Sequence, residues 1–140
     1  MDEEALWNRC LLYFEIGDFE SALNDVKNLC KMNLALPYIK QHAMILYNMK
    51  KFEKGIEILE NYLNECGYIW YKGDLHINEI HSNLDLDLCN ILCELYYSLE
   101  KYSKIAKIIS AIEKESENLP LDLVAHKSVA LVHLKDPEYV

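Results

Sequence analysis

A chain of 140 residues, 51% of them hydrophobic, is long enough to bury a core without disulfide or metal staples, and is most simply one domain. Lys and Arg total 14 against 23 Asp and Glu, a net charge of −9; a field of that sign repels phosphate backbones, which argues against a nucleic-acid partner and leaves two readings, a basic protein or peptide as partner or an acidic surface that serves solubility alone. Only 4 Gly and 3 Pro are present, and no apolar run approaches the ~18 residues of a membrane span, so a mainly helical chain with no membrane partner is expected. The opening MDEEALW lacks the basic flank and apolar stretch of a secretory leader, and five cysteines, Cys10, Cys30, Cys66, Cys89 and Cys93, have no knot-like spacing. Both features predict a cytoplasmic chain with reduced, buried thiols.

In chain order, Asp2 to Ile16 carries Leu6, Cys10 and Tyr13 with Leu12 and Ile16 at helical spacing, and stops at Gly17-Asp18. A second helix, Phe19 to Met32, sets Ala22, Leu23, Val26 and Leu29 on one stripe. From Leu36 to Cys66 the plan repeats: Ile39, Ala43, Leu46 and Tyr47, a turn at Lys50-Lys51, then Phe52, Gly55, Ile56, Leu59 and Leu63. Phe19 to Phe52, Ala22 to Gly55 and Cys10 to Ala43 are each 33 residues apart, so three landmarks hold one register.

A third unit runs from Leu84 to about Glu117 with Cys93, Tyr96, Tyr102, Ile105, Ile109 and Ile112 in matching places, but Phe52 to Tyr102 is 50 residues. The extra segment holds Tyr68-Ile69-Trp70-Tyr71 between Gly67 and Gly73. Those glycines predict a loop from Gly67 to Asp74, with Ile77 onward as an early start to the next helix. Asn118-Leu119-Pro120 restarts a helix, Leu121 to Leu134, after which 135–140 reads as a turn with no second arm.

Tyr13, Gly17, Phe19 and Ala22 resemble the aromatic, turn glycine, second aromatic and small residue of the tetratricopeptide repeat, a helix-turn-helix unit of 34 residues. The resemblance implies an all-α fold, an α-solenoid of about three hairpins (about 3–35, 36–66 and 84–117, with an insertion at 67–83) and a C-terminal helix at 120–134. It departs from the repeat at Lys50, which replaces the turn glycine. It implies a protein-binding module whose concave groove is lined by first helices: Trp7, Asn8, Leu11 and Glu15, then Lys40, Gln41, Met44 and Asn48, then Asn90, Glu94 and Tyr97. A peptide or helical segment is the expected partner.

Trp70 is added to that surface as an aromatic anchor, against the competing reading that its segment plugs the chain's own core. The apolar terminal helix suggests two further alternatives, a structural subunit that self-associates through it or a fragment of a longer array. A carboxylate clamp of the chaperone-binding branch would use Asn8, Arg9 and Lys40, but Asn90 and Glu94 stand where cations are wanted. Cys66, Cys89, Cys93, His76 and His81 raise a zinc site; the repeat position of Cys93 and the absence of Cys-x-x-Cys favour packing instead. Asp74, Glu79, Asp85 and Asp87 read as capping or solvated carboxylates rather than acid–base pairs. No catalytic series, nucleotide loop, cofactor or metal motif stands out, so an enzyme is not expected.

Overall fold

The computed structural model describes residues 1–77, 85–115 and 119–134. Among them lie seven helices and one two-stranded sheet: α1 Glu3–Ile16, α2 Phe19–Met32, α3 Leu36–Asn48, α4 Phe52–Glu65, β1 Tyr68–Tyr71, β2 Asp74–Ile77, α5 Leu86–Ser98, α6 Tyr102–Glu115 and α7 Leu121–Leu134. The fold is all-α in character, as expected. The chain divides into two compact units, Met1–Leu59 and Glu60–Val140.

Helix starts follow from capping chemistry. Asp2 accepts from the Ala5 N–H at 2.7 Å, Asp18 from Ser21 at 3.2 Å and Asp85 from Leu88 at 2.9 Å, each satisfying an amide that the first turn leaves without a partner. Asp85 is thus a cap, as its position predicts. Helix α3 has no side-chain cap and opens on Pro37, whose missing N–H costs nothing there.

Each helix pair turns in the same way. Gly17, Lys50 and Glu100 adopt left-handed φ of 85°, 61° and 57°. The next residue then donates its N–H back five positions: Asp18 to Tyr13, Lys51 to Leu46 and Lys101 to Tyr96, at 2.8–2.9 Å. This is the Schellman closure, with the left-handed residue just past the helix end. Across every turn the same two positions clasp edge to face: Phe14 with Phe19 at 5.7 Å, Tyr47 with Phe52 at 5.7 Å and Tyr97 with Tyr102 at 6.0 Å. The repeat inferred from sequence is therefore a repeat of backbone geometry.

Between the arms, small side chains allow close approach. Cys10 and Ala22 are fully buried, and the Cys10 Sγ lies 3.4 Å from the Ala22 carbonyl oxygen. Ala43 and Cys93 are buried at the equivalent positions. Around the first pair, Leu6, Leu23, Val26, Leu29, Tyr38, Ile45 and Leu46 form the core of the first unit. All five cysteines are free thiols; burial first, with Asp25 nearby, pushes Cys10 up to about 11, and burial pushes Cys89 up to about 12.

One buried ion pair ties α1 to α2. Asp25, 1% exposed, receives the Arg9 guanidinium through two bonds, Nε to Oδ2 at 2.9 Å and Nη2 to Oδ1 at 2.6 Å. Arg9 also lies over the Tyr13 ring. Sequence pattern did not reveal this pair, because 16 residues separate its members.

The second unit corrects the expected loop at Gly67 to Asp74. Its residues form an antiparallel hairpin, with Tyr68 opposite Ile77 and Trp70 opposite Leu75. Lys72 and Gly73 at the tip both have positive φ, 53° and 82°, as a type I′ turn requires. The aromatic and β-branched run Tyr68-Ile69-Trp70-Tyr71 favours a strand, and Ile77 closes β2 instead of opening a helix. Tyr68 is fully buried, with Leu88, Leu92, Ile105, Ile108, Ile109, Leu123 and Ala130 also in this unit's interior. The expectations for Glu79, His81 and the closing turn at 135–140 lie outside the described residues.

Replacing Lys50 or Glu100 by Gly relieves a left-handed strain at a site that already has the right geometry. Each variant is expected to gain about 0.5–1 kcal/mol, and Gly17→Ala to lose about 1 kcal/mol or more, read from urea unfolding midpoints. His42 on α3 supplies a second check. Burial, with the Lys27 charge second, lowers its pKa from 6.5 to about 4. The unfolded chain therefore binds the extra proton first, so the stability held above pH 6.5 is lost as pH falls toward 4. Discounted for partial exposure, the loss is roughly 1–2 kcal/mol, and His42→Gln is expected to flatten that slope.

Candidate functional site

In the first unit, the residues expected to line a groove separate by environment. Asn8 and Glu15 on α1 and Met44 and Asn48 on α3 are exposed, while Trp7, Leu11 and Lys40 are partly covered. Trp7 packs its ring 5.0 Å from Tyr38, whose hydroxyl donates to Glu3 at 2.5 Å. That hydrogen bond, then burial, pushes the Tyr38 phenol up to about 12. Asn48 is spent locally, its Nδ2 donating to the Met44 carbonyl at 2.8 Å. Gln41 differs from the rest, since it is buried and its Nε2 makes no hydrogen bond among the described residues. An interior position removes it from any solvent-facing lining, because helix α3 turns that side chain toward the core.

In the second unit, Asn90, Glu94 and Tyr97 do come together. They line the side of α5 that faces α7, where His126 in its Nε2–H form donates to Asn90 Oδ1 at 3.0 Å and lies 3.3 Å from Glu94 Oε1. Glu94, Tyr97, Asp122, Ala125, His126 and Val129 enclose a cleft of about 240 Å³. Its lining combines two carboxylates, an exposed phenol ring and the apolar Ala125 and Val129. Such a mixture suits an elongated cationic side chain: carboxylates receive the charge, the ring face attracts it, and Ala125 and Val129 offer apolar contact to the methylene stem. Tyr97 is further held by His133, which stacks on Tyr102 at 4.1 Å.

Trp70 stands apart from these residues. Its ring meets Tyr96 edge-on at 6.3 Å and the Lys104 ammonium lies 4.8 Å above it. Lys104 also bonds Glu60 at 2.9 Å, and the Tyr96 hydroxyl donates to the same carboxylate. Burial, then the Glu60 charge, drives the Tyr96 phenol far above its ordinary range. The Trp70 Nε1 makes no hydrogen bond among the described residues. At the hairpin tip Lys107 donates to the Gly73 carbonyl at 2.6 Å and pairs with Asp74 at 3.0 Å, which holds that carboxyl below its ordinary value.

Among the described residues no group of three or more His, Cys, Asp or Glu could hold a metal ion, and no helix is long and apolar enough to cross a membrane. No protein-family model, curated protein or solved structure matches the chain.

Because Trp70 is packed on Tyr96 and capped by Lys104, Trp70→Ala removes a large ring from a made contact. The expected cost is about 2–3 kcal/mol in urea unfolding, below the 3–5 kcal/mol of a fully buried Trp because the ring retains some exposure.

Proposed function

We propose that the chain is a protein-interaction module of the tetratricopeptide kind, which grips a basic segment of a partner protein on the faces of its first helices. The observation that supports this reading most directly is the cleft between α5 and α7, where the expected contact residues Glu94 and Tyr97 meet Asp122 and His126 beside the apolar Ala125 and Val129. The net charge of −9 favours encounter with a basic partner and raises the association rate at low salt. Exposed Met44 on the first helix of its own hairpin offers a second apolar contact of the same kind. Binding, with no catalytic step, is the proposed activity.

A carboxylate-clamp version gains no support, since Arg9 is bound by Asp25 and Glu94 would repel an acidic C-terminus. Tyr97→Ala and Glu94→Lys are the informative variants, as both side chains lie at the surface. With the intact chain immobilised, a synthetic arginine-rich peptide is expected to bind and to lose at least about tenfold in affinity on Glu94→Lys, with a salt-dependent signal. Equal binding by the wild type and both variants would refute the assignment.

A further inference from the structure

The three hairpins share one pattern of contact between their arms, and α7 repeats the first half of it. Counting along the first arms, Leu6, Ile39 and Cys89 precede by four residues the small residues Cys10, Ala43 and Cys93, and all six are buried. Three residues on stand Tyr13, Leu46 and Tyr96, and after them the aromatic of the clasp. In α7 the same spacing selects Val124, Ser128, Leu131 and Val132. Here the side chains lie open: Val124 is 41% exposed, Leu131 50% and Val132 67%, and Ser128 is exposed as well. The opposite side of α7, through Leu123 and Ala130, is already buried, and the helix packs on α5 and α6.

We infer that this stripe of α7 is a receptor for an amphipathic helix donated by another protein, which sits on α7 as a second arm sits on a first. The chain itself defines the chemistry of the occupant. In α2, α4 and α6 an aromatic residue opens the helix: Phe19, Phe52 and Tyr102. Buried residues follow at the third and seventh positions after it: Ala22 and Val26, Gly55 and Leu59, Ile105 and Ile109. A donated helix therefore carries an aromatic, a small or β-branched residue three later and an aliphatic residue four beyond that. Ser128 leaves room for its backbone to approach closely.

The area available separates this occupant from a second copy of the chain. Helix α7 is about 21 Å long at 1.5 Å per residue, and one such stripe against its own copy falls short of the ~1,000 Å² expected of a stable interface. A second arm packs on a shared core: Ile58 of α4 lies against a cluster built from residues of α1, α2 and α3. A helix seated that way on α7 gains contact with α6 as well. This site is separate from the cleft between α5 and α7 and does not rest on it.

The test uses the intact chain and, as probe, a synthetic peptide with the sequence of α2 from Asp18 to Asn33 in which Cys30 is Ser. Calorimetry is expected to show saturable, equimolar binding, weakened at least about tenfold by Leu131→Asp and unchanged by Met44→Ala or Glu94→Lys. Replacing the peptide's Ala22 by Arg is expected to abolish it. Leu131 is exposed, so its variant keeps the fold, which helical circular dichroism checks. If free peptide binds too weakly to measure, joining it after Val140 through a Gly/Ser linker is expected to raise the unfolding midpoint, a gain that Leu131→Asp cancels. Absence of both effects, or binding indifferent to Leu131→Asp, overturns the inference. So does self-association that Leu131→Asp abolishes, which would make a second copy the occupant.

Discussion

Close approach of two helix arms around a single small side chain is the constraint from which the rest of this structure follows. With Cys10 against the Ala22 carbonyl, the arms have one register in which the aromatic clasp closes, and a residue in left-handed conformation must lie between them. Neither condition tolerates a slip: one extra residue in the turn would move Phe19 away from Phe14 and rotate Asp18 off the Ser21 amide. That Lys50 and Glu100 accept a backbone conformation natural to glycine shows which demand dominates. Roughly 1 kcal/mol of local strain is outweighed by a buried arm interface with two aromatic rings.

This constraint also explains what was legible from sequence. Periodic apolar residues with Gly-Asp or Pro punctuation give sharp boundaries, and α2 and α7 begin and end where the pattern predicts, at Phe19–Met32 and Leu121–Leu134. The hairpin of β1 and β2 was obscured by its turn, because Lys-Gly is a weaker type I′ signal than Asn-Gly, and glycines at 67 and 73 read equally well as a loop. A count of strand formers in Tyr68-Ile69-Trp70-Tyr71 was the available cue. For the candidate site, Glu94 and Tyr97 were found by repeat position, whereas Asp122 and His126 lie on a helix that the pattern treated only as an apolar terminus. Gln41 was misplaced because its position in the repeat fixes a helix face only to within one side chain.

Charge in this acidic chain is handled in the same spirit, with ion pairs used where geometry needs them. Asp25 is buried and would be costly if unpaired, so the Arg9 fork must reach it, and that removes Arg9 from any partner. Glu60, Tyr96 and Lys104 form a second linked set, and the Lys104 ammonium doubles as the lid over Trp70. The hairpin is thus anchored at two points, by the buried Tyr68 at its base and by Trp70 on Tyr96 and Lys107 at Gly73 and Asp74 toward its tip. An insertion held at both ends adds packed surface to the second unit and behaves as part of its fold, in contrast to a long loop that would lose its ordering entropy without return.

The exposed stripe of α7 follows from the same logic taken one step further. Helix α3 shows a first arm covered on two sides, by α2 before it and by its own second arm, which Tyr47 clasps through Phe52. In α7 the first side is satisfied through Leu123 and Ala130. The other bears Val124, Leu131 and Val132 in water, where each leaves unrealised about 1.5 kcal/mol or more of burial free energy. Solubility alone would favour polar residues at all three positions. A helix that keeps the small residue and its apolar neighbours at the spacing of a covered arm retains the information needed to specify a cover, and the nearest description of that cover is written in α2, α4 and α6.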